Sequence, residues 1–387
     1  MDAAHRLGTQ SGTGVSPRAA GDPQHVPGVF HHLIGSSPYT ERFLRFVEDH
    51  REAFPPAEHC FWIERAPGSA FRPEEAGHLR RIRVGPWGFV RAFHALRAAD
   101  RVVIHQLGNP RLLLFLYVFR AAARRCAWSI WGADAYYDHW RPRTWWSALR
   151  ERMRRAVIPA IPVVASFLPG DFEVVRSTYR SRAVHVRAFY PLPGGGPGSG
   201  AEPPAGRTHD GVTLMVGNSG DPANDHAWVL RTLARFRPDG IRILVPLSYG
   251  DPGYIATVLE LGRELFGDRF VALTDFLPAE QYTRRLREVD AVIMNHDYQQ
   301  ALGNIIVLLM MGKKVFVRSD TTPYPHFNGL GIRVFDTLRL PELSLSQILE
   351  FPPETGLRNA EAVATEISEE RAVDGWTRLF ATLREQA

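Results

Sequence analysis

Four short segments carry polar residues at spacings that could do chemistry. In LMVGNSGDPANDHAW, residues 214–228, a hydrophobic run stops at Gly217, Asn218, Ser219 and Gly220, and a polar-capped helix restarts after Asp221 and Pro222. A helix N-terminus offers unpaired N–H groups and about half a positive charge. Glycine lets backbone approach an anion closely, and Ser219 adds a hydroxyl donor. A strand–Gly-x-Ser-Gly–helix turn can therefore cradle a phosphate. Asn224 and His226 sit at the same helix start and join that candidate set. The alternative is a tight turn with Asp221 as N-cap. The spacing matches neither G-x-G-x-x-G nor a Walker loop.

The second segment is NHDYQQALGN, residues 295–304. Gln299, Gln300 and Asn304 are uncharged donors near another helix start, able to bind phosphate or sugar hydroxyls, or simply to cap. The third, VPLSYG at 245–250, offers Tyr249 for stacking on a base or ribose; the alternative is a surface aromatic. The fourth is IWGADAYYDHW, residues 130–140, where Asp134 falls at a strand end. A carboxylate facing a cleft there could accept a proton from a hydroxyl; it could equally be an N-cap. His31 and His32 are read as ending the first strand, one pointing to the core and the other to the cleft, and His32 joins Asp134 as a catalytic candidate. His105 ends another strand before QLGNP, and with His31 and Asn109 it could orient an acceptor. No Cys/His cluster has zinc spacing, and no Asp-x-Asp pair is present to hold a divalent ion. No metal or cofactor is expected, so a departing diphosphate would rely on helix N-termini and neutral or cationic donors.

These residues need parallel strands to hold them. VTLMVG (212–217), IRILVPLS (241–248), FVALTD (270–275), AVIMN (291–295) and KKVFVRS (313–319) read as strands, with helices at about 222–236, 252–266, 278–290 and 301–311. Short apolar runs alternating with helical segments mean βαβ units and a parallel sheet. The first half offers VFHHLIG (29–35), CFWIE (60–64), RVVIHQL (101–107), CAWSIWG (126–132) and VVASF (163–167). PLPGGGPGSGAEPPAG, residues 191–206, can be neither helix nor central strand and marks a boundary. The expected organisation is α/β. A tail covers 1–26, a Rossmann-like domain 27–190, a Gly/Pro linker 191–211, a second Rossmann-like domain 212–355 and a helical segment 356–387. Ligands then bind in the cleft, at the carboxyl ends of the strands.

A chain of 387 residues with 45% hydrophobic and 22% charged residues is a globular, two-domain composition. No run reaches the ~18 apolar residues a spanning helix needs, and the N-terminus lacks the basic-then-apolar order of a signal peptide. Cys60 and Cys126 lie in apolar runs and read as buried, reduced thiols in a cytosolic protein. The net charge is +5, and of 46 basic residues only Lys313 and Lys314 are lysine. RPRTWWSALRERMRRAV, residues 141–157, mixes Trp145 and Trp146 with Arg150, Arg152, Arg154 and Arg155. It suits an anionic membrane surface, or is a solvated helix with two packed tryptophans. No nucleic-acid motif accompanies the charge, so no nucleic-acid partner is expected.

The words IWGAD (130–134), VGNSGDPANDH (216–226), VPLSYG (245–250) and QQALGN (299–304), with HHLIGSS and HQLGNP, resemble those of the bacterial 4-acetamido-4,6-dideoxygalactose (Fuc4NAc) transferases, glycosyltransferase family 56. The resemblance spans roughly residues 29–340. It implies a GT-B fold, two facing Rossmann-like domains with the acceptor on the first and a nucleotide-sugar donor on the second. It puts Gly217, Asn218, Ser219, Gly220, Asn224 and His226 at the donor diphosphate, places Gln299, Gln300 and Asn304 near the sugar or phosphate, and leaves Asp134 as the best candidate base. QQALGN departs from the family's usual QQGIGT, with Ala301 for a glycine and Asn304 for a hydroxyl. The activity so implied is a hexosyltransferase at the cytoplasmic face of the membrane. It would move a deoxyamino or fucose-like sugar, dTDP-linked, to a lipid-linked or other glycan, as in enterobacterial common antigen synthesis. A GT-B epimerase or hydrolase, or a non-catalytic nucleotide-binding protein, is the alternative.

Overall fold

The computed structural model describes residues 28–35, 38–64, 79–84, 88–191 and 211–386. The expected tail, and almost all of the expected linker, lie outside the described residues. The strands β1 (Gly28–Gly35), β2 (Ala57–Glu64), β3 (Leu79–Val84), β4 (Arg101–His105), β5 (Cys126–Ser129), β6 (Val163–Ser166) and β7 (Val184–Arg187) form one sheet, ordered β3-β2-β1-β4-β5-β6-β7. A second sheet holds β8 (Thr213–Val216), β9 (Arg242–Pro246), β10 (Phe270–Leu273), β11 (Ala291–Met294), β12 (Lys314–Val317) and β13 (Phe335–Asp336), ordered β10-β9-β8-β11-β12-β13. The strand pairings are parallel.

Every residue of β5, β6, β8, β11 and β12 is buried. Continuous apolar runs are what parallel strands covered on both faces require. In each sheet the chain works outward from its first strand, then jumps back to the other side. The order reverses between β1 and β4 and between β8 and β11, and ligand crevices open at such points.

The C-terminal segment is two helices, Pro353–Glu366 and Glu369–Glu385. The first packs on the helix Leu302–Met310; Gly356 lies so close that a Cβ there would stand 2.7 Å from the Gly312 carbonyl oxygen. The second crosses back to the first sheet. Its Trp376 Nε1 donates to the Phe189 carbonyl at 2.9 Å, and its ring stacks on His105. Both lysines turn to backbone carbonyls. Lys313 Nζ donates to Arg287 and Val289 at 2.8 Å, and Lys314 Nζ to Gln347 at 2.7 Å and Glu350 at 2.9 Å. A cation at a helix C-terminus offsets its partial negative charge. Burial lowers the Lys314 amine to about 8. Cys60 and Cys126 are buried and unbridged.

Candidate active site

The carboxyl ends of β5, β6 and β7 face the start of the helix Leu302–Met310 across a pocket of about 250 Å³, lined among others by Trp131, Asp171, Tyr190, Gln299 and Gly303. Trp131 and Tyr190 meet edge to face at 5.2 Å. Gln299 is buried, and its Oε1 has no hydrogen-bond partner. Gly132, at φ +114°, leaves room for that amide; a Cβ there would fall 2.1 Å from Oε1. The helix begins at Ala301 without a side-chain cap. Its first-turn amides have no partner inside the helix, and Ala301, Leu302 and Gly303 line the pocket. An uncapped N-terminus facing a cavity can receive an anion.

Ala301 holds φ 54°, a left-handed conformation that costs an alanine roughly 1 kcal/mol. The resemblance implies glycine here. Ala301→Gly should therefore raise stability by about 0.5–1 kcal/mol in urea unfolding; a lowered midpoint at unchanged slope would refute the strain.

The 217–220 bend is not the open cradle its sequence suggests. The Gly217 amide donates to Ile293 O at 2.9 Å, Asn218 to Asn224 Oδ1 at 3.1 Å and Gly220 to Tyr249 O at 2.7 Å. A bridge between Gly220 and Gly250 extends the sheet through the bend, and protein acceptors take three of its four amides. The helix also starts later, at His226, because Asp225 turns left-handed at φ 44°. Asn224 is fully buried as a staple of this bend, with Nδ2 donating to Asp221 O at 3.0 Å. Ser219 is buried with its hydroxyl on the Tyr249 phenol. Asn218 donates from Nδ2 to the Tyr249 hydroxyl at 2.9 Å, and its Oδ1 lies 2.8 Å from His296 Nε2. The Tyr249 ring stays 54% exposed, free to stack. His226 is buried, with Nε2 unpartnered beneath Gly217, and burial lowers it to about 4. Gln300 donates to the Tyr298 hydroxyl, and Asn304 is half-buried in the first helical turn.

Asp134 is held from three sides. Its Oδ2 accepts from the Leu107 amide at 3.0 Å and Trp128 Nε1 at 2.8 Å, and its Oδ1 from the Trp131 amide at 2.9 Å. The fully buried Arg154 ties the Asp134 and Leu107 carbonyls. Three donors fix this carboxylate in place and saturate Oδ2, leaving one lone-pair direction on Oδ1. It pins the wall between the first pocket and a second one of about 600 Å³, which Glu64, Asn109, Asp134, Trp140 and Arg150 help to line. Asn109 caps the helix Pro110–Val118 and donates from Nδ2 to Glu64 at 2.9 Å.

The histidines face inward. β1 runs on to Gly35, so His31 and His32 sit mid-strand, about 10 Å short of its end. His31 Nδ1 accepts from Trp62 Nε1 at 3.0 Å. Tyr190 donates its hydroxyl to Ser129 at 3.1 Å, so its oxygen accepts from His105 Nδ1–H. His105 Nε2 then accepts from His32 Nδ1–H at 3.0 Å, and His32 Nε2 from His59 Nδ1–H at 2.9 Å. The network assigns these tautomers. Burial lowers His105 to about 3 and His32 well below its ordinary value, so the chain is neutral. His32 is fully buried and lines neither of the two pockets, so nothing in the fold places it at a substrate.

On the helix Trp145–Val157, Trp145 and Trp146 are exposed and stacked, while Arg150 and Arg154 turn inward to carbonyls. Among the described residues no group of three metal-binding side chains occurs, and no helix is long and apolar enough to cross a membrane.

Asp171 is the pocket residue that sequence reasoning passed over. It stands in the first turn of the helix Pro169–Tyr179, directly after β6, in the word LPGDF. A strand end followed by Pro-Gly-Asp was the available signal. Its Oδ1 accepts from the Tyr136 hydroxyl and from Thr322 Oγ1 of the second domain, each at 2.6 Å. Burial raises it to about 6.

A family model described as 4-alpha-L-fucosyltransferase, glycosyl transferase group 56, matches residues 90–326. Sucrose-phosphate synthase from Thermosynechococcus elongatus is similar in structure at TM-score 0.65 and 14% identity, over 93% of this chain and 100% of that one. A UDP-forming alpha,alpha-trehalose-phosphate synthase from Burkholderia vietnamiensis matches at 0.62 and 9%, over 94% and 99%. WaaG, a glycosyltransferase involved in lipopolysaccharide biosynthesis, matches at 0.57 and 12%, over 89% and 98%. The fold of this chain is GT-B.

Proposed function

The chain belongs to glycosyl transferase group 56 and is a glycosyltransferase, and from that premise we propose that it moves a deoxyamino, Fuc4NAc-like or fucose-like sugar from a dTDP-linked donor to a hydroxyl of a lipid-linked or other glycan, at the cytoplasmic face of the membrane. The observation that carries this reading is the uncapped helix start at Ala301–Gly303, which faces the first sheet across the pocket. The amides there, with Gln299, receive the donor diphosphate and its charge as it departs. Tyr249 stacks on the nucleobase. The acceptor lies on the first domain: its reacting hydroxyl enters the smaller pocket at the carboxyl ends of β5, β6 and β7, and its further sugars extend toward the larger one, where Asn109 and Glu64 meet hydroxyls and Trp140 offers a face for a sugar ring. Trp145 and Trp146 supply interfacial aromatics for a lipid-bearing acceptor.

A thermal-shift panel of dTDP-, UDP- and GDP-sugars tests the donor. A ligand at about 100 times its Kd stabilises the folded state by about 2.7 kcal/mol, so dTDP-sugars should give the largest rise in Tm. A larger rise with another base would overturn that assignment. Product analysis with donor alone should show no conversion; turnover without acceptor would favour an epimerase or hydrolase.

A further inference from the structure

We propose that Asp171 is the catalytic base of the transfer and takes the proton of the acceptor hydroxyl. This rests on the transferase reading and adds a residue to it. The acceptor oxygen bonds to the anomeric carbon while the bond from that carbon to the β-phosphate oxygen breaks. The electron pair leaves with the nucleoside diphosphate, and the hydroxyl proton passes to Asp171 Oδ2.

The geometry singles out this carboxylate. Asp171 and the start of the helix Leu302–Met310 are opposite walls of one pocket. A hydroxyl between them has a base on one side and the site of the departing charge on the other. The hydroxyls of Tyr136 and Thr322 both bind Oδ1, which fixes the carboxylate plane. Oδ2 accepts from no described protein group. Asp134 is tied up by three donors on the same loop system, so it does not compete. A base works best when its pKa lies near the working pH, and burial brings Asp171 to about 6 against the pull of its two hydroxyl partners.

The groups facing Asp171 are few. Tyr136 and Thr322 touch it, and Asp134 acts through space to raise it. On β7, His185 stacks on the neighbouring Phe172 and is engaged with Ser166. On the helix Pro323–Gly329, His326 packs on Phe167. On its own helix, Glu173 and Arg176 pair at the surface.

The test uses the full chain, the nucleotide sugar that most raises Tm, and a matching acceptor. D171N should lose about 100-fold or more in kcat, with the donor-induced rise in Tm and the donor KM kept within about two-fold. Wild-type kcat should fall on the acid side with an apparent pKa near 6, and added formate should restore about ten-fold activity to D171A. T322V keeps the carboxylate but removes a donor to its ionised form, so the acid limb should move up by about half a pH unit. A D171N variant retaining more than about a tenth of wild-type kcat, or an acid limb unmoved in T322V, would overturn the assignment. Failure of the donor reading looks different: no nucleotide sugar shifts wild-type Tm, and both proposals then fall.

Discussion

Between about pH 7.5 and pH 5.5, unfolding in urea should become easier by roughly 3 kcal/mol. His105 and His296 are lowered to about 3 and His226 to about 4, each by burial. An unfolded histidine titrates near 6.5 and so binds its proton first. Stability from these depressed groups is complete above about pH 6.5 and drains away as pH falls toward 3–4. Each contributes about 1.4 kcal/mol of loss over the stated window. Asp171 acts in the opposite sense. Its folded pKa is raised to about 6, so it returns just under about 1 kcal/mol as pH drops through that value. The histidines win by number. Equilibrium unfolding at the two pH values measures the difference, and coincident midpoints would show that these imidazoles are not held neutral.

Asp134→Asn should cost about 1–3 kcal/mol. The carboxylate serves three donors, the amides of Leu107 and Trp131 and the indole of Trp128. An asparagine has one acceptor oxygen and one NH2 group. In either orientation the NH2 confronts a buried N–H, and each donor so orphaned costs about 1–3 kcal/mol. The loss includes the wall between the two pockets, so donor binding should weaken along with stability. Urea unfolding followed by tryptophan fluorescence reports the change. A variant within about 0.5 kcal/mol of wild type would show that the tie is not structural and would return Asp134 to consideration as the base.

The central strands are legible because burial on both faces favours short, mostly apolar runs such as Thr213–Val216 and Ala291–Met294. Of the four edge strands only β10 (Phe270–Leu273) is. β3 reads LRRIRV, with three arginines, and β13 has two residues. An edge has less of the core to bury, so the signal fades. Position along the chain also puts Gln299 and Tyr249 after the carboxyl ends of β11 and β9. The direction in which a strand-end side chain turns is set by partners distant in sequence. Asp134 is claimed by Leu107 across the loop, and His32 by His59 and His105 on flanking strands. Asp171 resembles any first-turn acid complementing a helix dipole until Thr322, 151 residues on, closes over it.

The two lysines have a practical consequence for chemical modification. Guanidinium groups stay protonated and do not attack acylating reagents at neutral pH, while both side-chain ammonium groups are sealed onto carbonyl oxygens. The described surface therefore carries its positive charge with almost no nucleophilic nitrogen. Ester-based labels and amine cross-linkers should react with Lys313 and Lys314 slowly while the fold holds, and the rate of their acylation becomes a clock for local opening around β12.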